Sequence, residues 1–462
     1  MKRTTYGTPL AVAMLLLAGM GQAYAKVSAE EAAKLGTELT CVGAEKAGNK
    51  DGTIPAYTGK WLGTPPGIEY KPNVGQKPVD PYASEKPLYI ITAENMSQHA
   101  EHLTDGQKAM FAKYPKTFKI PVYPGHRDFR YDDAVCAAIK KNAVNAELID
   151  GGMGMKNTVY GAVAFPIPKN GYEVLWNHTL PTRASSESTI RDAAVVNPSG
   201  NVVWGRQNNR NLSVFNDPKR MGKPVDLNVQ AYSSVLTMLP AREKGGVSVS
   251  QEPMNFATGK RLAWSYDPGT RRVRQVPEYG FDQPIGGTSG MLMIDEDRLF
   301  NGSPERFNFK LLGKKEIYIP ANTYKLHAEG VKYADLIKPG HANPDFLRYE
   351  LRRVWVVEAD LKEGFRHLYK KRVLFFDEDT WHAVMADNYD ARGQLWKHAE
   401  LNYYYAFDMH AWQAGTSFYY DLNSGGYVGY NLFQEAKLGP VLNKANLTPE
   451  DFTPEAARAM GN

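Results

Sequence analysis

Carboxylates are plentiful between positions 350 and 390, among them Glu350, Glu358, Asp360, Asp377, Glu378, Asp379, Asp387 and Asp390. Two such groups flanking a groove could hydrolyse a glycoside. Most of them stand at the ends of expected strands, beside turn signals and near Arg352, Arg353, Arg366, Arg372 and Arg392. Structural ion pairs are the plainer expectation there. Glu358 and His367 sit within strands, where a partly buried ionisable group needs a partner, so both are candidates for orienting a ligand. His99 and His102 share a helix face with Glu101 between them, but no third ligand is placed by spacing, so no metal site is expected. Gly286-Gly287-Thr288-Ser289-Gly290 lacks the Lys and following helix of a phosphate cradle and reads as a flexible loop at the lip of a cavity. No Gly-x-Ser-x-Gly elbow marks a hydrolase serine. The chain offers no catalytic residues and no cofactor motif, and a non-enzyme is expected.

The aromatic content is high, with 27 Tyr, 18 Phe and 8 Trp. Tyr403-Tyr404-Tyr405 and Phe418-Tyr419-Tyr420 could line a ligand cavity or fill a core. Trp264, Trp355, Phe375, Trp381, Trp396, Tyr404 and Phe418 are the strand aromatics expected to line a cavity. A register error of one residue would turn each of them to the other face.

The elements that must position these groups change character along the chain. Residues 28–39, 92–114 and 132–149 read as helices, with Ser28 and Glu31 forming a capping box and Thr92 capping the second. Residues 41–90 are rich in Gly and Pro and read as extended loop. From about 158 the period shortens. Strands are expected at 172–178, 201–207, 260–266, 271–276, 307–312, 314–319, 324–330, 349–361, 365–377, 381–389, 394–407, 417–422 and 426–431. Short turns join most of them, so the sheet is antiparallel; parallel strands would need helical crossovers. Val354-Trp355-Val356-Val357 and Val373-Leu374-Phe375-Phe376 have no polar parity, which calls for cover on both faces or an enclosed apolar space.

Residues 1–25 resemble a secretory leader: Lys2 and Arg3, an apolar run from Leu10 to Ala18, then Ala23-Tyr24-Ala25 as cleavage site. The run is shorter than the roughly 20 residues of a membrane span. No Cys follows the cleavage site, so a soluble periplasmic protein without a lipid anchor is expected. Cys41 and Cys136 then read as one disulfide in an oxidising compartment. The net charge of +5 includes Lys2 and Arg3 and is interspersed with acid. A nucleic-acid groove needs a clustered basic stripe, so no nucleic-acid partner is expected. The expected organisation is a leader at 1–25, an N-terminal extension of loops and helices at 26–155, and a β domain at 156–462.

The run Leu39-Thr40-x-Val42-Gly43-Ala44-Glu45-x-Ala47-Gly48-Asn49-x-Asp51-Gly52-Thr53-Ile54-Pro55 resembles the N-terminal signature of the bacterial exported family called domain of unknown function 1329. Arg348-Tyr349-Glu350-Leu351-x-Arg353-Val354-Trp355-Val356-Val357-Glu358-Ala359 is similar to a second family stretch. Lys371-Arg372-x5-Asp377-Glu378-Asp379-x-Trp381 and Asp390-x-Arg392-Gly393-Gln394-Leu395-Trp396 fit as well. Cys41 departs from the Pro expected in many members. The resemblance implies the fold of the periplasmic lipoprotein carriers and receptors (LolA/LolB-like). That fold is mainly β (α+β): a large curved antiparallel sheet, an incomplete β-barrel, with helices plugging its concave side, here preceded by a loop-rich extension. It further implies work beside a resistance–nodulation–division-type inner-membrane transporter and an outer-membrane protein. The functional expectation is a carrier or adaptor for a lipid or hydrophobic small molecule. The alternatives are a periplasmic hydrolase using strand-end carboxylates, or a structural envelope subunit without a small ligand.

Overall fold

The computed structural model describes residues 27–277 and 279–461. The leader expected at 1–25 lies outside the described residues. Among them, the strands are β1 (Tyr89–Ile91), β2 (Ile120–Val122), β3 (Glu147–Ile149), β4 (Gly154–Lys156), β5 (Ser186–Val196), β6 (Val202–Ser213), β7 (Val229–Leu239), β8 (Val247–Pro253), β9 (Leu262–Asp267), β10 (Arg272–Gln275), β11 (Phe307–Pro320), β12 (Tyr349–Leu361), β13 (Lys371–Asp377), β14 (Ala383–Tyr389), β15 (Leu395–Ala406), β16 (Ala411–Asp421), β17 (Tyr427–Leu432) and β18 (Val441–Leu442). The α-helices are α1 (Ala29–Ala33), α2 (Asp105–Lys113), α3 (Asp133–Asn145), α4 (Gly171–Thr179), α5 (Tyr324–His327), α6 (Tyr333–Leu336) and α7 (Pro454–Gly461).

One 16-stranded sheet runs in the order β1-β2-β12-β13-β14-β15-β16-β17-β5-β6-β7-β8-β9-β10, with β11 also on β12 and β18 on β5. Its end strands do not meet, so the sheet stays open and does not close into a barrel. The ladders are antiparallel except for the parallel bridge between Tyr349 and Val122. Aspartates close three of the hairpins by the same device. Asp267, Asp390 and Asp421 each accept backbone N–H bonds from the turn that follows, as Asx turns do.

Parity assigns the two faces. Ala193, Val195, Tyr419, Val428 and Tyr430 belong to one large cluster, together with Val135 and Ile139 of α3 and Val174 and Leu175 of α4. Ala194, Val196, Phe418, Tyr420 and Tyr427 belong to a second cluster, with Met110 and Phe111 of α2 and Leu336 of α6. The central strands are thus covered on both sides, as their doubly apolar sequence demands. The far wing is less covered: α7 packs Ala457 and Met460 on Val247, Val249, Trp264 and Tyr266.

Several expectations need correction. Residues 172–178 form helix α4, not a strand, because the Asn170 side chain caps the backbone N–H groups of Tyr172 and Glu173. The long helix expected at 92–114 is broken: a 3-10 segment at Met96–His102 ends at extended Leu103. Thr104 then starts α2 through a capping box with Gln107. Helix α3 stops at Asn145, and 147–149 pair with Gly154–Lys156 as a hairpin. Residues 307–320 are one strand, with a bulge between Leu311 and Gly313. Residues 324–327 are a short helix, because the Thr323 N–H and Oγ1 both donate to the Tyr403 carbonyl and turn the chain off the sheet.

Cys41 and Cys136 form a disulfide across 95 residues and tie the extension to α3. Closing a loop of that length stabilises by about 4 kcal/mol in the chain-entropy account. Replacing both cysteines by Ser is therefore expected to lower the urea midpoint and to steepen the transition, because the untethered unfolded chain exposes more surface. An unchanged midpoint would show that the tether contributes no stability.

Candidate functional site

The strand-end carboxylates meet arginines rather than a groove. Asp377, Glu378 and Asp379 occupy the β13–β14 turn and are nearly inaccessible. Asp379 accepts from Arg127 Nε at 2.7 Å and Nη2 at 2.9 Å, and from Arg352 Nη2 at 2.7 Å. Burial works to raise its pKa, but Arg127 and Arg352 outweigh burial and hold it below the usual range. Burial raises Asp377 and Glu378 despite the opposing charges of Arg352 and Lys314. Arg127 also donates to the carbonyls of Glu45 and Pro55, and Arg353 to that of Ala47. Glu350 takes Arg348 Nε at 3.0 Å, and Arg348 reaches on to Glu85 at 2.9 Å. These carboxylates clamp the extension to the sheet. Arg127 lies some 250 residues upstream of its partner, where no local pattern announces it.

A second buried cluster lies under α2. His398 Nδ1 is 2.7 Å from Asp387 Oδ1 and its Nε2 is 3.4 Å from Glu400 Oε1. The Gly106 N–H donates to Asp387, and Tyr349 to Glu400. Burial opposes a charged imidazole, but bonds to both carboxylates overcome it and raise the pKa to about 9. Gly106 permits this approach, since a Cβ there would lie 2.1 Å from both Asp387 and His398. The cluster is an internal staple between α2, β14 and β15.

The expected cavity aromatics are distributed through the packing. Phe375, Trp381 and Tyr404 are buried in the large cluster, and Phe418 in the opposite one. Trp355 stacks on Trp381 at 6.4 Å, and Trp381 Nε1 donates to the Val42 carbonyl. Trp264 rests against α7, and Trp396 donates to Asp421. His367 Nε2 pairs with Asp295 at 2.8 Å. Glu358 faces Lys371 at 3.9 Å. None of these nine residues lines the enclosed cavity described next. His99 and His102 bond Tyr318 and the Glu316 carbonyl instead of each other's ligand.

That cavity, of about 240 Å³, lies between strands β5–β8 and the segment 279–301. Its β5 and β6 wall is polar at alternate positions: Glu187 and Arg191, then Gln207, Asn209 and Asn211. Gln207 also bonds the carbonyl of Gly286, the residue of the Gly-rich loop that lines this cavity. Arg191 and Arg261 are paired, with Glu187 and Glu252 respectively. Arg183 and Arg298 have no hydrogen bond or ion pair among the described residues. Burial and the charge of Arg298 lower Arg183 to about 9. His382 also lines the cavity; its Nε2 donates to the Trp412 carbonyl. Its Nδ1 and Trp412 Nε1 have no partner among the described residues. Burial, with Arg298 and Arg183, lowers His382 to about 4, so this imidazole is neutral. Arg298 and Leu299 hold left-handed backbone, at φ 53° and 69°. Such strain in non-glycine residues is retained where the surroundings enforce a geometry. A more open depression of about 530 Å³ surrounds the disulfide. The cavity at β5–β8 is the candidate because polar groups on its walls lack partners among the described residues. Sequence reading missed Arg183, Arg298, His382 and Trp412. The available signal was the alternation of amides in β6, polar on a face expected to be core.

Comparison with known proteins places these features in a lineage. The profile of the family described as "Protein of unknown function (DUF1329)" matches residues 90–458. The uncharacterized protein PA3922 of Pseudomonas aeruginosa is 42% identical over 445 residues, 95% of each chain. A DUF1329 family protein from Desulfovibrio piger shares 15% identity over 59% of this chain and 92% of its own, at a TM-score of 0.40. A putative outer membrane lipoprotein-sorting protein domain from Vibrio parahaemolyticus shares 16% over 59% and 91%, also at 0.40. The LolA superfamily protein NE2245 of Nitrosomonas europaea shares 13% over 63% and 100%, at 0.37.

The His398 staple carries a pH signature. Its folded pKa of about 9 exceeds the ordinary 6.5. The stabilisation, about 3 kcal/mol, is complete below pH 6.5 and is lost as pH rises through 9. The stability advantage of the native chain over His398→Gln, from urea unfolding, should therefore shrink between pH 6.5 and 9.5. An advantage constant over that range would mean that His398 is neutral in the folded protein.

Proposed function

The chain belongs to the DUF1329 family, and on that premise we propose that it is a periplasmic carrier without catalytic activity. It holds a small amphiphilic molecule in the cavity between β5–β8 and the 279–301 segment. The observation that carries this reading is the wall of that cavity. Apolar Val235, Ile285 and Ile294 stand beside buried polar groups without protein partners. A preformed pocket of that kind binds by removing apolar surface from water, at about 25 cal/mol per Å², while a few polar groups fix orientation.

Export is supported by the leader pattern at 1–25 and by the disulfide, a bond favoured in oxidising compartments. No helix among the described residues is long and apolar enough to cross a membrane. In this reading the cargo passes between an inner-membrane transporter of the resistance–nodulation–division class and an outer-membrane protein. The hydrolase alternative draws little support, because Glu350 and Asp379 are engaged by Arg127, Arg348 and Arg352, Asp387 by His398, and none of the strand-end carboxylates lines either cavity. The densely filled aromatic core suits a structural subunit equally well; the cavity favours the carrier.

Native mass spectrometry of the protein released from its own periplasm, followed by organic extraction, tests the reading. A co-purifying amphiphile at near one-to-one stoichiometry is expected. A clean apo mass, with no uptake from a panel of lipids and hydrophobic metabolites, would contradict it.

A further inference from the structure

Four arginines line the cavity: Arg183, Arg191, Arg261 and Arg298. Two are neutralised by their own carboxylates. The other two, Arg183 and Arg298, have no hydrogen bond or ion pair among the described residues. Arg298 acts to depress Arg183 and both depress His382, while Glu187, Glu252 and Asp297 on the same walls act to raise Arg183. Two unpaired guanidinium groups sharing one partly buried space repel each other, and removal from water weakens screening of that repulsion. Asp297 also lies on this wall but leaves Oδ1 without a partner. Trp412, 2% exposed, adds an N–H donor with no partner among the described residues. Arg298 takes left-handed backbone on this wall. A guanidinium pair with an adjacent N–H is a carboxylate or phosphate receptor.

Resting on the carrier reading, we propose that the ligand of this cavity is an organic anion whose carboxylate or phosphate is held by Arg183 and Arg298. Its apolar body lies against Val235, Ile285 and Ile294. The cavity, of about 240 Å³, takes a small acid or the acidic head of a longer lipid.

The test is isothermal titration of the full mature protein with hexanoate, hexyl phosphate, 1-hexanol, inorganic phosphate and palmitate. Hexanoate or hexyl phosphate should bind at least tenfold more tightly than 1-hexanol and than inorganic phosphate. Arg298→Gln and Arg183→Gln should each weaken the anion at least tenfold and leave 1-hexanol unchanged. Arg206→Gln, which removes an arginine paired with Asp192 outside this cavity, should leave binding as it is. A cooperative melting transition of ligand-free Arg298→Gln establishes that the variant folds. Palmitate binding more tightly than hexanoate would identify the anion as a lipid head, and the reverse a free small acid. If 1-hexanol binds as well as hexanoate and neither substitution matters, the anion inference is overturned while the carrier reading stands. If no probe binds, both fall.

Discussion

Asp379 sits between Arg127 and Arg352 with all three side chains nearly inaccessible, and much of the molecule is arranged around that contact. A carboxylate and two guanidinium groups cannot be taken out of water unless their charges and hydrogen bonds are matched. Losing one member of a buried pair costs about 3–5 kcal/mol. The matching here comes from distant parts of the chain. Arg127 belongs to the extension, Arg352 to β12, and Asp379 to the turn after β13. Arg127 also gathers the Glu45 and Pro55 carbonyls, so a loop with little regular structure acquires a fixed path. The disulfide holds the same loop to α3. The His398 staple performs a similar task for α2 on the other face.

These clamps separate two kinds of interior. Where the clamped elements cover the central strands, aromatic side chains pack against each other. Further along the sheet, beyond β5, the inward positions turn from Ala193 and Val195 to Arg191, Gln207, Asn209 and Asn211. A sheet face that carries amides and charges cannot be sealed by apolar cover. The 279–301 segment bridges it instead and encloses a polar-walled space. This change in side-chain chemistry runs along one continuous sheet.

Much of this architecture was legible in the amino-acid sequence, for local reasons. The Ser28–Glu31 capping box, the Asp267-Pro268-Gly269-Thr270 hairpin and the bounds of β12 depend on neighbours in the chain. The cysteine pair was legible by arithmetic. The 172–178 run was misread because a short apolar stretch fits either period, and only the Asn170 cap decides. The expected cavity aromatics do not line the cavity at β5–β8, since facing depends on register, and Phe375 and Tyr404 turn toward packed neighbours. Strands β5, β7 and β8 escaped notice because their Ser, Thr and Gln content resembles loop. Since these strands build the cavity wall, the site itself stayed hidden. Arg298 comes from a strained loop, and no periodicity announces such a position.

The central claim is that cargo occupies the polar cavity under the 279–301 segment and not the aromatic interior. A crystal structure of the protein purified, without denaturation, from its native envelope addresses it directly. The account predicts a non-protein molecule in that cavity, with its acidic group between the guanidinium groups of Arg183 and Arg298. A cavity holding only water, with both arginines turned onto protein carboxylates, would contradict it. So would a ligand lodged among the Trp355 and Trp381 side chains.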